Sequence, residues 1–190
     1  MEAGHSGDEG AARAVLAHGD PEVRAAALQA LHRMGRVTDA DVARALRDDD
    51  PGVRRRALAV AVPGEIDLLP LLEDRDPSVV EQAAWALGER EDRRAVDGLV
   101  RAAAHPDPLV REAAVAALGA IQDERGLGAI LAGTDDRPAI RRRAVLALAG
   151  FEGPAVDAAL ARAADDRDWQ VRDAAQVILD ARGAAPEGGP

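Results

Sequence analysis

The chain has 190 residues, with 24 basic and 34 acidic side chains and a formal net charge of −10. This charge argues against general binding to nucleic acids or anionic membranes, because both need a positive field to attract phosphate. It contains no cysteine, which excludes disulfides, thiolate metal sites and cysteine nucleophiles. Hydrophobic residues make up 47% of the chain but aromatic residues only 2%, so the core has to consist of Ala, Leu, Val and Ile, a composition that favours closely packed helices over strands.

Six helix starts recur along the chain. In the first, Asp20 can cap the free N–H groups of a first helical turn, and Pro21 gives up an N–H that has no partner within the helix. Val23 and Ala27 then fall on one helix face. The residues equivalent to Pro21 follow at spacings of 30, 26, 31, 30 and 31, and they are Pro51, Pro77, Pro108, Pro138 and Trp169. Because Trp169 replaces a proline, we expect it to be structural and to pack over the preceding turn.

Shorter amphipathic segments are predicted between these helices, over 7–17, 38–47, 65–73, 92–104, 124–132 and 154–164. The second opens with a possible capping box from Thr38 to Asp41. One helical pair cannot bury its own apolar face, whereas stacked pairs can. We therefore predict an all-α solenoid of about six helix pairs over residues 7–182, with disordered tails at 1–6 and 183–190.

The repeated pattern Asp-Pro-x-Val-Arg-x-x-Ala-x-x-Ala-Leu-Gly resembles the HEAT repeat, in the variety called PBS-lyase HEAT-like, over about residues 7–182. The resemblance implies a right-handed α–α superhelix whose second helices line the concave face. It also implies a hydrogen-bonded ladder between the turn aspartates and the helix arginines, which here would be Asp20, Arg24, Asp50, Arg54, Asp76, Asp107, Arg111, Asp136, Arg141, Asp168 and Arg172. Val80 takes the arginine position of the third repeat, so the ladder should be interrupted there.

The positions that follow the arginine in each second helix, and one position a turn later, are expected to face the concave groove. The candidates for partner contact are Arg55, Arg56, Glu81, Gln82, Trp85, Glu112, Arg142, Arg143 and Leu146. Trp85 stands in a column of otherwise small or medium residues, and it is either an interaction anchor or core filler. The two arginine clusters either bind carboxylates or phosphates, or form solvated helix faces paired with nearby acids.

The sequence contains few groups suited to catalysis. It has no Cys, Tyr or Lys, and no Ser/His pair is indicated by spacing. His18 and His105 precede Asp-Pro turns in equivalent positions, where we expect solvated turn residues. The metal hydroxylase among the relatives of this repeat type needs His-Glu pairs on its helices, and the sequence has none. We therefore predict no catalytic residue, no metal and no cofactor.

The hypothesis that best fits these features is a scaffold or adaptor that binds a protein or peptide in the groove. We expect a cytoplasmic monomer, since the sequence shows no targeting signal and no apolar run long enough to span a bilayer. One alternative is a subunit of a bilin-lyase-like enzyme, acting on a partner's chromophore. A further alternative is a HEAT-like DNA-binding protein, which would need a basic, aromatic groove, against the net charge of −10 and the two tryptophans.

Overall fold

The computed structural model describes residues 3–61 and 66–183, and within these ranges every regular element is helical, which confirms the all-α prediction. The helices are α1 (Ala3–Ala14), α2 (Pro21–Arg33), α3 (Asp39–Ala45), α4 (Pro51–Ala61), α5 (Pro77–Glu89), α6 (Val96–Ala102), α7 (Pro108–Ile121), α8 (Leu127–Gly133), α9 (Pro138–Ala147), α10 (Pro154–Ala164) and α11 (Trp169–Gly183). Short 3₁₀ turns cover Leu69–Glu73, Arg93–Ala95, Glu124–Gly126 and Leu148–Gly150.

The second helices of the repeats begin where the Asp-Pro pattern predicts. Asp20 precedes α2 in extended backbone and accepts the Glu22 N–H, while Pro21 is the first helical residue. Asp107 caps α7 in the same way, through the Leu109 N–H. These starts follow from interactions between residues two apart, which is why the sequence alone locates them.

The first helices of the repeats agree with the prediction in part: α10 spans the predicted Pro154–Ala164, whereas α3 and α6 are shorter than predicted. The capping box of α3 is confirmed, because Thr38 accepts the Asp41 N–H and Asp41 accepts the Thr38 N–H. A helix predicted over 65–73 is instead the 3₁₀ turn Leu69–Glu73, because Pro70 lacks an N–H and disfavours helical backbone in the residue before it.

The terminal helices extend beyond the predicted bounds of the repeat array. Helix α1 begins at Ala3, inside the range 1–6, since no proline stops the helix upstream of the expected start. Gly183 still belongs to α11. Residues 1, 2 and 184–190, along with Glu65, lie outside the described residues.

The chain divides into two compact units, Met1–Ala86 and Leu87–Pro190. In the first unit α2 and α3 pack on α4, and in the second unit α9 packs on both α7 and α11. One small residue per repeat, three positions after the arginine slot, is buried between these helices: Ala27, Ala57, Ala83, Ala114, Ala144 and Ala175. Alanine lets helix backbones approach closely, and larger aliphatic side chains such as Leu58 and Leu118 fill the core around it.

Candidate functional site

The arginine in the first turn of α4 shows how the repeats are tied together. Nε and Nη2 of Arg54 donate to the two carboxylate oxygens of Asp74, at 2.8 and 2.7 Å. Nη1 donates to the backbone carbonyls of Asp48 and Asp49, at 2.7 and 3.0 Å. Arg54 is only 4% exposed, and a buried guanidinium is tolerated because its donors are satisfied.

The same arrangement forms two chains of ion pairs, one in each unit. Asp48 shows how they continue, since its carboxylate accepts from Arg24 and its carbonyl accepts from Arg54. We call them the unit 1 ladder, comprising Arg24, Asp48, Arg54 and Asp74, and the unit 2 ladder, comprising Arg111, Asp136, Arg141, Asp166 and Arg172. Bidentate arginine–carboxylate pairs are among the stronger hydrogen-bonded contacts in proteins, so both ladders are structural elements.

The acidic partners differ from those predicted. Asp136 does bind Arg111, at 2.7 and 2.9 Å. The other predicted aspartates accept backbone N–H groups at helix starts instead, and these are Asp20, Asp50, Asp76, Asp107 and Asp168. A carboxylate that caps a helix points into the first turn of that helix, so an aspartate two residues earlier, such as Asp48 or Asp166, meets the arginine.

Hydrogen bonds from the arginines stabilise the charged form of the ladder carboxylates. The pKa of Asp48 is lowered chiefly by Arg24, that of Asp136 by Arg111 and that of Asp166 by Arg141. A further buried carboxylate, Asp123, was missed by the sequence analysis. Its pKa is lowered chiefly by Arg125 and also by Arg93, which lies 30 residues away in sequence.

Two histidines replace the ladder aspartate where the preceding repeat supplies no ladder arginine. Nδ1 of His18 accepts the Asp20 N–H at 3.1 Å, and Nδ1 of His105 accepts the Asp107 N–H at 3.0 Å. Asp48 does the same for Asp50 at 2.9 Å. The imidazole thus provides the backbone contact without the arginine contact. The second helix of the preceding repeat, α5, carries Val80 in the arginine position, so the missing arginine and the histidine at position 105 occur in consecutive repeats.

Four of the predicted partner-contact residues line one cleft in the first unit. Arg55 and Arg56 on α4 face Glu81 and Gln82 on α5, and the cleft has a cavity volume of about 310 Å³. Its remaining lining residues are small: Gly52, Ala59 and Ser78. We call this the α4–α5 cleft. Nη1 of Arg56 also donates to Oε1 of Gln29 at 2.9 Å, so a neighbouring residue on α2 supports the cleft.

Trp85 lies on the same helix as Glu81 and Gln82 and is partly exposed. It is not among the residues that line the α4–α5 cleft. Both roles, interaction anchor and core filler, stay predictions.

In the second unit, the predicted contact residues lie together on one face of α7 and α9, here called the α7–α9 face. Nη2 of Arg143 lies 3.9 Å from Oε1 of Glu112. Leu146, one turn further along α9, is 38% exposed. Arg142 is exposed and forms no hydrogen bond or ion pair within the described residues. The face therefore combines both charges with an apolar side chain.

Trp169 departs from the expectation that it packs over the preceding turn, because it is 65% exposed. At the first position of α11 its side chain projects from the helix end, where no neighbouring residue covers most of it. Leu109 and Val177 are also more than half exposed, at 56% and 60%, and neither is among the predicted partner-contact residues.

The described ranges offer no grouping of three or more His, Asp or Glu residues that could hold a metal ion. None of the helices in the described part of the chain is both long and apolar enough to cross a bilayer.

One part of the chain, from just before α5 into α8, matches a known family model. Residues 67–132 match the family model described as HEAT repeats. The match is to HEAT repeats in general, so the PBS-lyase variety stays a prediction. A search of curated protein sequences found no significant match.

Solved structures share the all-α solenoid fold over nearly the whole chain. An engineered protein matches with a TM-score of 0.67 and 22% identity, covering 91% of this chain and 97% of that chain. A designed armadillo repeat protein in complex with the peptide (KR)4 matches with a TM-score of 0.63 and 20% identity, covering 91% and 92%. A second designed armadillo repeat protein has a TM-score of 0.62 and 19% identity, covering 93% and 92%. At these identities the likeness concerns the fold.

Proposed function

We propose that the chain is a protein-binding scaffold, which holds a segment of a partner protein against the faces of its second helices. The observation that carries the proposal is the contrast between two sets of positions on these helices. The buried positions repeat the same small and aliphatic residues, such as Ala57 and Ala144. The exposed positions differ in chemistry from one repeat to the next, as a surface that recognises an irregular ligand requires.

The charges on these faces favour a protein or peptide over nucleic acid. The α4–α5 cleft places Glu81 beside Arg55 and Arg56, and the α7–α9 face places Glu112 beside Arg143. A DNA-binding face would instead be basic throughout and carry aromatic side chains. Solenoid repeats commonly present extended binding surfaces of this kind, and one of the structurally similar designed proteins was solved with a bound peptide.

Site-specific photo-crosslinking tests the proposal. A benzophenone amino acid is placed at Ala59, an exposed lining residue of the α4–α5 cleft. In the control it is placed at Ala40, which is exposed on α3, the first helix of a repeat in the same unit. In extracts of the source cells, we expect the Ala59 position to capture a defined partner that the Ala40 position does not. Equal capture from both positions, or capture from Ala40 alone, would contradict binding by the second-helix face.

A further inference from the structure

We infer that the α4–α5 cleft binds an acidic side chain, so that the partner segment held there is an acidic peptide. The inference rests on the proposed function and adds the chemical class of the ligand. It starts from three consecutive arginines on α4, of which only the first pairs with a carboxylate among the described residues. Arg54 is buried and pairs with Asp74, whereas Arg55 and Arg56 are exposed and line the cleft.

The charges of Arg55 and Arg56 are not neutralised by direct contacts. Throughout residues 3–61 and 66–183, the Arg55 side chain takes part in no hydrogen bond or ion pair. Arg56 donates to Gln29, whose amide oxygen is neutral. Two guanidiniums therefore face the cleft without a bonded carboxylate, and a guanidinium fork fits a carboxylate in bidentate geometry.

The acids near the cleft leave room for one more carboxylate. Glu81 is the one acidic residue among those that line it. Arg55 also acts electrostatically on Asp76, but the Asp76 carboxylate already accepts from the backbone N–H and the hydroxyl of Ser78, at 2.9 and 2.6 Å. The lining side chains thus carry two positive charges and one negative charge, on a chain of net charge −10, which gives them charge complementarity to an acidic residue.

The remaining lining residues suit a peptide that carries this acidic residue. The side-chain amide of Gln82 forms no hydrogen bond to any described residue, and its donor and acceptor match the C=O and N–H of a peptide group. Gly52 adds no side chain to the lining, and a Cβ there would lie 2.9 Å from Oδ1 of Asp50, which caps the same helix. A volume of about 310 Å³ is at the lower limit for small-molecule sites, and it suits a side chain better than a cofactor.

Fluorescence anisotropy with labelled model peptides tests the inference. The probes are the decapeptides (Glu-Ala)5, (Gln-Ala)5 and (Lys-Ala)5, measured at two salt concentrations. We expect (Glu-Ala)5 to bind about tenfold more tightly than (Gln-Ala)5 and to weaken as salt rises. Because the whole chain is acidic, non-specific attraction would favour (Lys-Ala)5. A preference for the acidic peptide would therefore indicate binding at a local basic site such as the cleft.

Matched arginine variants locate the binding site. The double variant Arg55→Ala/Arg56→Ala should lose about tenfold in affinity for (Glu-Ala)5. The control Arg33→Ala/Arg47→Ala removes two other exposed arginines from the first unit and should leave the affinity unchanged. Preference for (Lys-Ala)5, absence of any acid preference, or equal losses in both double variants would overturn the inference. If the acid preference is absent while Ala59 still captures a partner, the proposed function stands and the assigned ligand class is wrong.

Discussion

Arg141 holds both carboxylate oxygens of Asp166, with Nε to Oδ2 at 2.8 Å and Nη2 to Oδ1 at 2.7 Å. Its Nη1 donates to the carbonyl of Asp136 at 2.9 Å, and Arg141 is 6% exposed. The next residue, Arg142, points to solvent and forms no such bond within the described chain. Two adjacent arginines therefore differ in role because they lie on different faces of α9.

We expect Arg141→Ala to destabilise the protein by about 3 kcal/mol, because it leaves the partly buried Asp166 carboxylate without its counter-ion. Arg142→Ala is the matched control and should change the free energy of unfolding by less than about 0.5 kcal/mol. Urea unfolding monitored by circular dichroism measures both. Equal effects of the two substitutions would show that the unit 2 ladder contributes nothing specific to stability.

The ladder carboxylates predict a loss of stability in acid. Asp48, Asp136 and Asp166 have lowered pKa values in the folded protein, whereas in the unfolded chain an aspartate titrates near 3.9. Their stabilising contribution is present above the unfolded value and is lost as pH falls towards the folded values, because the unfolded chain then binds more protons. We expect the free energy of unfolding to decrease between about pH 5 and pH 3.

Acidification weakens the ladder ion pairs and also relieves general charge repulsion in the acidic chain. A variant separates these two effects. Asp136→Asn removes one titrating ladder carboxylate, which accepts from Arg111 at 2.7 and 2.9 Å. It should be less stable than the unmodified protein at pH 7, and its stability should decrease less between pH 5 and pH 3. Parallel curves for the two proteins would mean that Asp136 does not contribute to the pH dependence.

The fold could be predicted because its signals are local. Asp20 caps a residue two positions away, Pro21 fixes the helix start, and the apolar spacing repeats every turn, so six repeats give the same indication. The ends were less predictable. Helix α1 begins at Ala3 and not at the predicted residue 7, and Pro70 limits its segment to a short 3₁₀ turn.

The ladder partners could not be identified from the sequence for a physical reason. Arg24 lies 24 residues from the aspartate that it binds, and that aspartate is the first of three in a row, Asp48, Asp49 and Asp50. Which of the three meets the arginine depends on the direction in which each side chain leaves the turn. The sequence does contain a signal for the position of the ladder aspartate. His18 and His105 occupy that position in the two repeats that follow no ladder arginine.

The exposure of Trp169 predicts that its side chain contributes little to stability. We expect Trp169→Pro to be neutral or to stabilise by up to about 1 kcal/mol, because proline suits the first helical position and restricts the unfolded chain. The chain has two tryptophans and no tyrosine, so the emission lost on substitution is that of Trp169. This component should be red-shifted and easily quenched by acrylamide. A stability loss above about 1 kcal/mol would instead support packing over the preceding turn.

Close approach of α7 and α9 depends on Gly119. A Cβ at this position would lie 2.5 Å from Cβ and 2.8 Å from Cα of Ala147, so Gly119→Ala forces the two helices apart. We expect it to destabilise the protein by about 1–3 kcal/mol. Gly128 in α8 is the control, because a Cβ there meets no atom within 4 Å, and Gly128→Ala should stabilise by about 0.5–1 kcal/mol. Urea unfolding distinguishes the opposite signs. A stabilising Gly119→Ala would mean that α7 and α9 do not pack at this distance in solution.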